Sequence, residues 1–399
     1  MLITRRGFLG TAAALVMATA PQALAQGYQW PKHFSVVTPV VGTANHSLAV
    51  AWSSKFSKGT GARVAVLPAP NGFARATWLN SGEGRISMLQ ASDYFDQMDG
   101  VQGYASKAGG PADTRVVNIT LVTAWGYAVR GDSSIKSIDD VKAGTRISLA
   151  KSSSFLVSGI DALLALRGLK REDVDIVEVG SYGANTAVLA EGRVDVTFTS
   201  PISGPSYQAE AGPNGLRWLA LPAPDKDRAA YARYRKIMSG YVPQKTTAGV
   251  RSAVGLSMDH AFQANHVRAD EDPEFVYQLL KWLDENHASY KGDFTHAHMM
   301  NVDNLVAFLE VGALQPLHEG TIRYLKEKGR WKAQHQARQD QLVALAKKRE
   351  QGYRAAMQAA EKKGIAVDAG NAQWVAFWKD HRQRNGMGQA FGEEVLSLK

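Results

Sequence analysis

Apolar positions along this chain alternate between two rhythms. Phe34–Val41 is a β-branched, apolar run broken by Gly42-Thr43, and Leu48, Trp52 and Phe56 then recur at four-residue spacing, which predicts one buried face of a helix. Arg63–Leu67 reads as the next strand, Pro68–Gly72 as a loop, Phe73–Asn80 as a helix and Ile86–Leu89 as a short strand. Val116–Val122 is a further strand, which Tyr127–Val129 extends past Trp125-Gly126. Near residue 130 the alternation restarts. Arg146–Ala150, Val174–Val179, Val194–Phe198 and Leu216–Leu221 are strand-like. Between them lie a helix through Leu156, Ile160, Leu163, Leu164 and Leu166, stopped by Gly168, and a second over Ala184–Glu191. Two successive βα units of similar size predict an α/β chain in two lobes with mostly parallel sheets.

Residues 222–240 are charged and read as a surface segment with a helix over Asp227–Met238, and Val250–Met258 as a returning strand. Pro273–Ala288 has Asp272 as N-cap, Pro at the first helical position and Phe275, Leu279 and Leu283 on one face. Residues 331–363, free of proline and rich in Ala, Lys and Gln, predict one long helix.

Composition narrows the chemistry. With no cysteine in 399 residues, disulfides, thiolate nucleophiles and Cys-ligated metals are excluded. The formal charge of +9 invites a nucleic-acid reading until it is located. Arg5 and Arg6 leave with the leader proposed below, and residues 331–399 carry 12 basic against 7 acidic side chains. The body between is nearly neutral, and its basic residues do not interleave with aromatics, so nucleic-acid binding is unsupported.

Thr4-Arg5-Arg6-Gly7-Phe8-Leu9, the small apolar run Thr11–Ala20 and Ala23-Leu24-Ala25 form a twin-arginine signal peptide over residues 1–25. That pattern predicts a periplasmic protein.

In open α/β sheets, ligands sit where loops leave the carboxyl ends of strands, beside helix N-termini with free N–H groups. Four loops have that character: Thr43, Asn45 and His46; Asn71, Gly72 and Phe73 with nearby Arg75; Lys151, Ser152, Ser153, Ser154 and Phe155; and Ser200 to Ser203. Each alone is also what an ordinary N-cap or turn looks like. Together, two from each unit, they predict a polar, donor-rich pocket for a carboxylate-sized anion, with Arg75 or Lys151 supplying charge. Phe73, Phe155, Tyr182 or Trp125 would cover the ligand's apolar part, Trp125 reading equally as hinge packing. No P-loop, G-x-G-x-x-G, G-x-S-x-G or H-E-x-x-H occurs, and His296-Ala297-His298 lacks a third ligand at a telling spacing. No cofactor and no metal are expected. The alternatives to a receptor are an exported two-domain α/β hydrolase or isomerase, and a periplasmic ligand sensor.

Several segments, in order, are similar to the TAXI-type solute-binding proteins of tripartite ATP-independent periplasmic (TRAP) transporters. They are Gly42-Thr43, Leu79–Glu83 running into Leu89–Asp93, Val129–Ser137 with Asp139–Lys142, Glu191–Asp195, and Pro316–Gly320 through Tyr324–Gly329. The resemblance covers about residues 34–330. It implies a two-lobed, type II-like periplasmic-binding-protein architecture that closes on a small-molecule anion and delivers it to a membrane permease. Lobe I would hold residues 30–125 plus about 240–330, lobe II residues 126–222, and residues 331–399 would form a helical C-terminal extension. The family's ligand loops fall on Thr43, Asn45 and His46, on Asn71–Phe73, on Ser152–Phe155 and on Ser200–Ser203. Three departures sit there: Ala44-Asn45-His46 replaces glycines and a tyrosine pair, Asn71-Gly72-Phe73 replaces Gly-Gly-Ser, and three serines replace Gly-Ser-Gly. The extension, with its stripe Leu342, Leu345, Tyr353, Met357 and Ala360, reads as packed on the body or as a docking surface.

Overall fold

The computed structural model describes residues 28–151 and 154–398. The leader over residues 1–25 lies outside them, as do Ser152 and Ser153.

The first unit builds as its pattern predicts. Strand β1 (His33–Thr38) pairs in parallel with β2 (Arg63–Pro68) and β3 (Ile86–Gln90), crossing over through α1 (Ala44–Thr60) and α2 (Gly72–Ser81). Leu48, Trp52 and Phe56 of α1 pack against Phe34, Val36 and Ile86. The helix stops at Gly61, whose φ of 78° is left-handed backbone that a β-carbon would strain. Helix α3 (Ala91–Asp99) follows.

Strand β4 (Thr114–Arg130) is one 17-residue element, not two pieces. Helix α4 (Ser154–Arg167) follows β5 (Arg146–Leu149), and α5 (Tyr182–Ala190) follows β6 (Asp175–Glu178). After them come β7 (Thr197–Thr199), α6 (Gly204–Ala211) and β8 (Leu216–Leu219). Strands β7 and β8 pair antiparallel with residues 126–130 of β4, and β5 runs parallel to β6 and touches the β7 approach through Ile147–Val196. Helix α7 (Arg228–Ile237) exposes Arg228, Arg233 and Lys236 but buries Ala230 and Tyr234 in the second lobe's core.

The returning strand differs from expectation. Residues 250–256 form a short turn between β9 (Val242–Lys245) and β10 (Ser257–Arg268), and β10 runs antiparallel between β3 and β4. The first sheet therefore orders β2-β1-β3-β10-β4, and β4 continues into the second. The molecule is a two-lobed α/β fold, with parallel strands in each lobe and antiparallel strands where the chain crosses between them.

Helices α8 (Pro273–Glu285), α9 (His287–Tyr290), α10 (Val302–Glu310) and α11 (Glu319–Glu327) cover the first lobe. Asp272 caps α8 by accepting the Glu274 N–H at 2.9 Å. The extension is α12 (Ala333–Glu361), α13 (Ala372–Arg384) and α14 (Phe391–Ser397). It packs on the body. Leu342, Ala346, Phe391 and Val395 join Tyr94 and Phe95 of α3, while Tyr353, Trp374 and Trp378 close over Ala105. The indole N–H groups of Trp374 and Trp378 donate to the carbonyls of Ala105 and Asp99, both at 2.9 Å. Among the described residues, no helix is long and apolar enough to cross a membrane.

Candidate functional site

The carboxyl end of β3 lies against β10, with Gln90 opposite Gln263, and that of β7 lies against β4, with Thr199 opposite Gly126. In the first lobe, Thr43 caps α1, its hydroxyl oxygen accepting the His46 N–H at 3.4 Å and donating to the Val40 carbonyl at 2.8 Å. His46 is held at Nδ1 by the Thr38 hydroxyl at 3.0 Å. Asn45 turns inward, bonded to Gln263 of β10 and to the Thr120 hydroxyl of β4. The α1 N-terminus thus keeps its dipole toward the crossing while its polar side chains are fixed from behind.

Asn71 caps α2, accepting the Ala74 N–H at 2.9 Å. Gly72 lies against the Asp93 carboxylate so closely that a β-carbon would overlap it. Phe73 packs edge-on to Tyr104 with centroids 5.6 Å apart. Arg75 corrects the expectation that it supplies free charge. It is 5% exposed, its Nη2 pairs with Asp93 at 2.8 Å and its Nε donates to the Met88 carbonyl at 2.7 Å. The guanidinium is neutralised inside the lobe and braces the second loop.

That close fit carries a prediction. Gly72→Ala forces its methyl into a carboxylate pinned by Arg75, so we expect a loss of about 1–3 kcal/mol, as for overpacked cores. Chemical denaturation measures it; an unchanged midpoint would mean that Asp93 moves aside freely.

In the second lobe, Lys151 forms an ion pair with Glu178 of the neighbouring strand, both side chains well exposed, so its charge too is met locally. Ser154 opens α4. Phe155 lies edge-on to Trp125 at 4.6 Å, Tyr182 at 5.8 Å, and Phe198 stacks beneath the indole at 5.9 Å. Tyr182 Oη meets the Thr199 hydroxyl at 3.1 Å and accepts the Ser200 N–H at 3.3 Å. Burial pushes its phenol up from the ordinary value, so it remains a neutral donor. Ser203 caps α6 through the Ser206 N–H. The Ser200 hydroxyl is buried and has no partner among the described residues.

The structure brings Trp125, Phe155, Tyr182 and Ser200 into one cluster, and Thr43, Asn45 and His46 into another. Arg75 joins neither, being paired with Asp93 inside the first lobe, and Phe73 packs on Tyr104. The sequence reading missed Gln263, Thr120 and Thr123, which lie between the clusters. Their signal was a run of polar residues, Asp259, His260, Gln263, Asn265 and His266, inside a strand buried on both faces.

The chain matches no curated protein sequence. Its fold is similar to that of Rpa4515 from R. palustris with adipate, at 14% identity and a TM-score of 0.46 over 75% of this chain and 98% of that one. The periplasmic aliphatic sulphonate binding protein SsuA from Escherichia coli gives 14% identity and a TM-score of 0.41 over 92% of each. XAC2383 from Xanthomonas citri bound to chloride ion gives 14% and 0.43, over 80% of this chain and 99% of that one. Residues 43–329, most of the two-lobed body, match the NMT1-like family, and the chain belongs to that family.

Proposed function

We propose that this protein is an extracytoplasmic solute receptor that captures a small organic anion, carboxylate or amino-acid-like, between its lobes and delivers it to a TRAP-type permease. It is not an enzyme; it binds and releases. The observation that supports this reading is that the two crossing strands are met from both lobes, Asn45 at the start of α1 bonding Gln263 of β10 and Thr120 of β4, and Phe155 and Tyr182 at the starts of α4 and α5 packing on Trp125 of β4. Free N–H groups at those ends favour negative charge. The TAXI-like segments support the transporter class, and the twin-arginine leader supports the periplasm.

The chemistry differs from the simplest expectation. With Arg75 paired inside the first lobe and Lys151 paired with Glu178 at the surface of the second, recognition rests on backbone N–H groups, on Thr43, His46, Ser200 and the serines before α4, and on the Trp125–Phe155–Tyr182 wall. Only closure brings both half-sites onto one ligand, so the ligand stabilises the closed state.

A thermal-shift screen of residues 26–399 against organic acids and amino acids tests this. A ligand at 100 times its Kd should stabilise by about 2.7 kcal/mol, which is a rise of several degrees. A flat response across carboxylates sinks the anion class.

A further inference from the structure

A single hydrogen-bonded chain of side chains joins the two clusters. Thr120 Oγ1 donates to Asn45 Oδ1 at 2.8 Å, and Asn45 Nδ2 donates to Gln263 Oε1. Gln263 Nε2 donates to Thr123 Oγ1 at 3.0 Å, and the same oxygen accepts the Trp125 indole N–H at 3.1 Å. All five residues are less than one-tenth exposed. In so dry a setting an unmade bond costs the desolvation of its group, so each amide has one satisfactory orientation and each link depends on the next.

The backbone is also irregular at this point. The β10–β4 register slips between Gln263 and Ala264, a bulge of the kind that re-aims a side chain beside a site. Gln263, opposite Gln90 of β3 and Leu121 of β4, is thus the residue at which the register changes, and its amide spans from α1 to β4 there.

We propose that Gln263 is a positioning residue that couples the α1 N-terminal turn of the first lobe to the Trp125 ring, and through it to the aromatic wall of the second. The inference rests on the receptor reading for its purpose, since coupling matters only if both clusters hold one ligand. Asn45 lies two residues past the Thr43 cap in the same helical turn, so a group that shifts that turn also shifts the buried amide bonded to Gln263. At the far end, Thr123 accepts two bonds at one oxygen, so a change in the Gln263 bond alters the one to Trp125. Trp125 in turn touches Phe155, Tyr182 and Phe198. Because every link is a side chain, it can be cut without disturbing the strands that carry it.

The test uses residues 26–399 labelled with 5-fluorotryptophan, with no ligand added. The ¹⁹F line of Trp125 is assigned by its loss in Trp125→Phe. Asn45→Ala should move that line by more than its width in the otherwise native chain, and leave it in place when Gln263→Leu is also present. Equal movement in both backgrounds, or movement in neither, overturns the proposal. Should Gln263→Leu fail to fold, Thr123→Val, nearly equal in shape, cuts the chain at the next link and gives the same pair of outcomes. Since no ligand enters, failure here leaves the receptor reading to the thermal-shift screen, and a flat screen leaves this coupling to the ¹⁹F measurement.

Discussion

Arg349→Met should cost the protein about 3–5 kcal/mol, the range seen when one partner of a buried ion pair is removed. Arg349 is fully buried, on the inner face of α12. It donates to Asp99 at 3.1 Å and Glu394 at 2.6 Å, and to the carbonyls of Met387 and Gln389 at 3.0 and 2.6 Å. Methionine fills much of the volume but leaves two carboxylates and two carbonyls short of a donor. Asp99 retains only Arg382 and the Phe391 N–H. Arg349→Lys should recover part of the loss, because one ammonium cannot reach what a planar fork reaches. Urea unfolding at neutral pH, followed by far-UV dichroism, reads the effect. A loss below about 1 kcal/mol would show that the extension is held by its apolar contacts alone.

The second large effect has the opposite sign. Asp259 lies fully buried at the crossing, in backbone register with Trp125 on one side and Pro243 on the other. Tyr234 donates to its carboxylate, Arg235 stands 3.7 Å away, and the phenols of Tyr127 and Tyr241 are close enough to feel its charge. Burial outweighs both the tyrosine hydrogen bond and the arginine, so the carboxyl is pushed up to about 6 from 3.8. The folded state then holds this proton more tightly than the unfolded chain does. Stability contributed by the protonated form is present below about pH 4 and lost as pH rises through about 6. Above that window the ionised group costs up to about 3 kcal/mol, at about 1.4 kcal/mol per pH unit. Asp259→Asn keeps an acceptor for Tyr234 without the charge. It should therefore be more stable than the native chain at pH 8 by up to about 3 kcal/mol, with the difference vanishing toward pH 4. Denaturation midpoints of both proteins at pH 4, 6 and 8 measure this; a less stable variant at pH 8 would show that the charge is held favourably.

Asp259 and Gln263 also mark what the sequence conceals. The α1 face of Leu48, Trp52 and Phe56, the Asp272 cap and the long α12 were legible, because helical period and capping are local properties. Strand β10 was not. Its polar residues occur where the periodicity rule sends polar side chains to water, and their partners, Asn45, Thr123 and Tyr234, are distant in sequence. Arg75 shows the same limit within the candidate site. Its position beside a loop was visible, but Asp93, which neutralises it, arrives through a separate crossover.

The way the extension is tied down has a consequence for how the chain is made. Asp99 bonds to Arg349 across 250 residues and to the Phe391 N–H across 292. At ~5–20 residues per second, the earliest part of the first lobe waits on the order of 10–50 s for those partners to emerge. The second lobe draws its strands from one continuous stretch and meets no such delay. The lobe that is begun first is therefore finished last, and until residue 391 is available its α3 surface, with Tyr94 and Phe95, has no permanent cover.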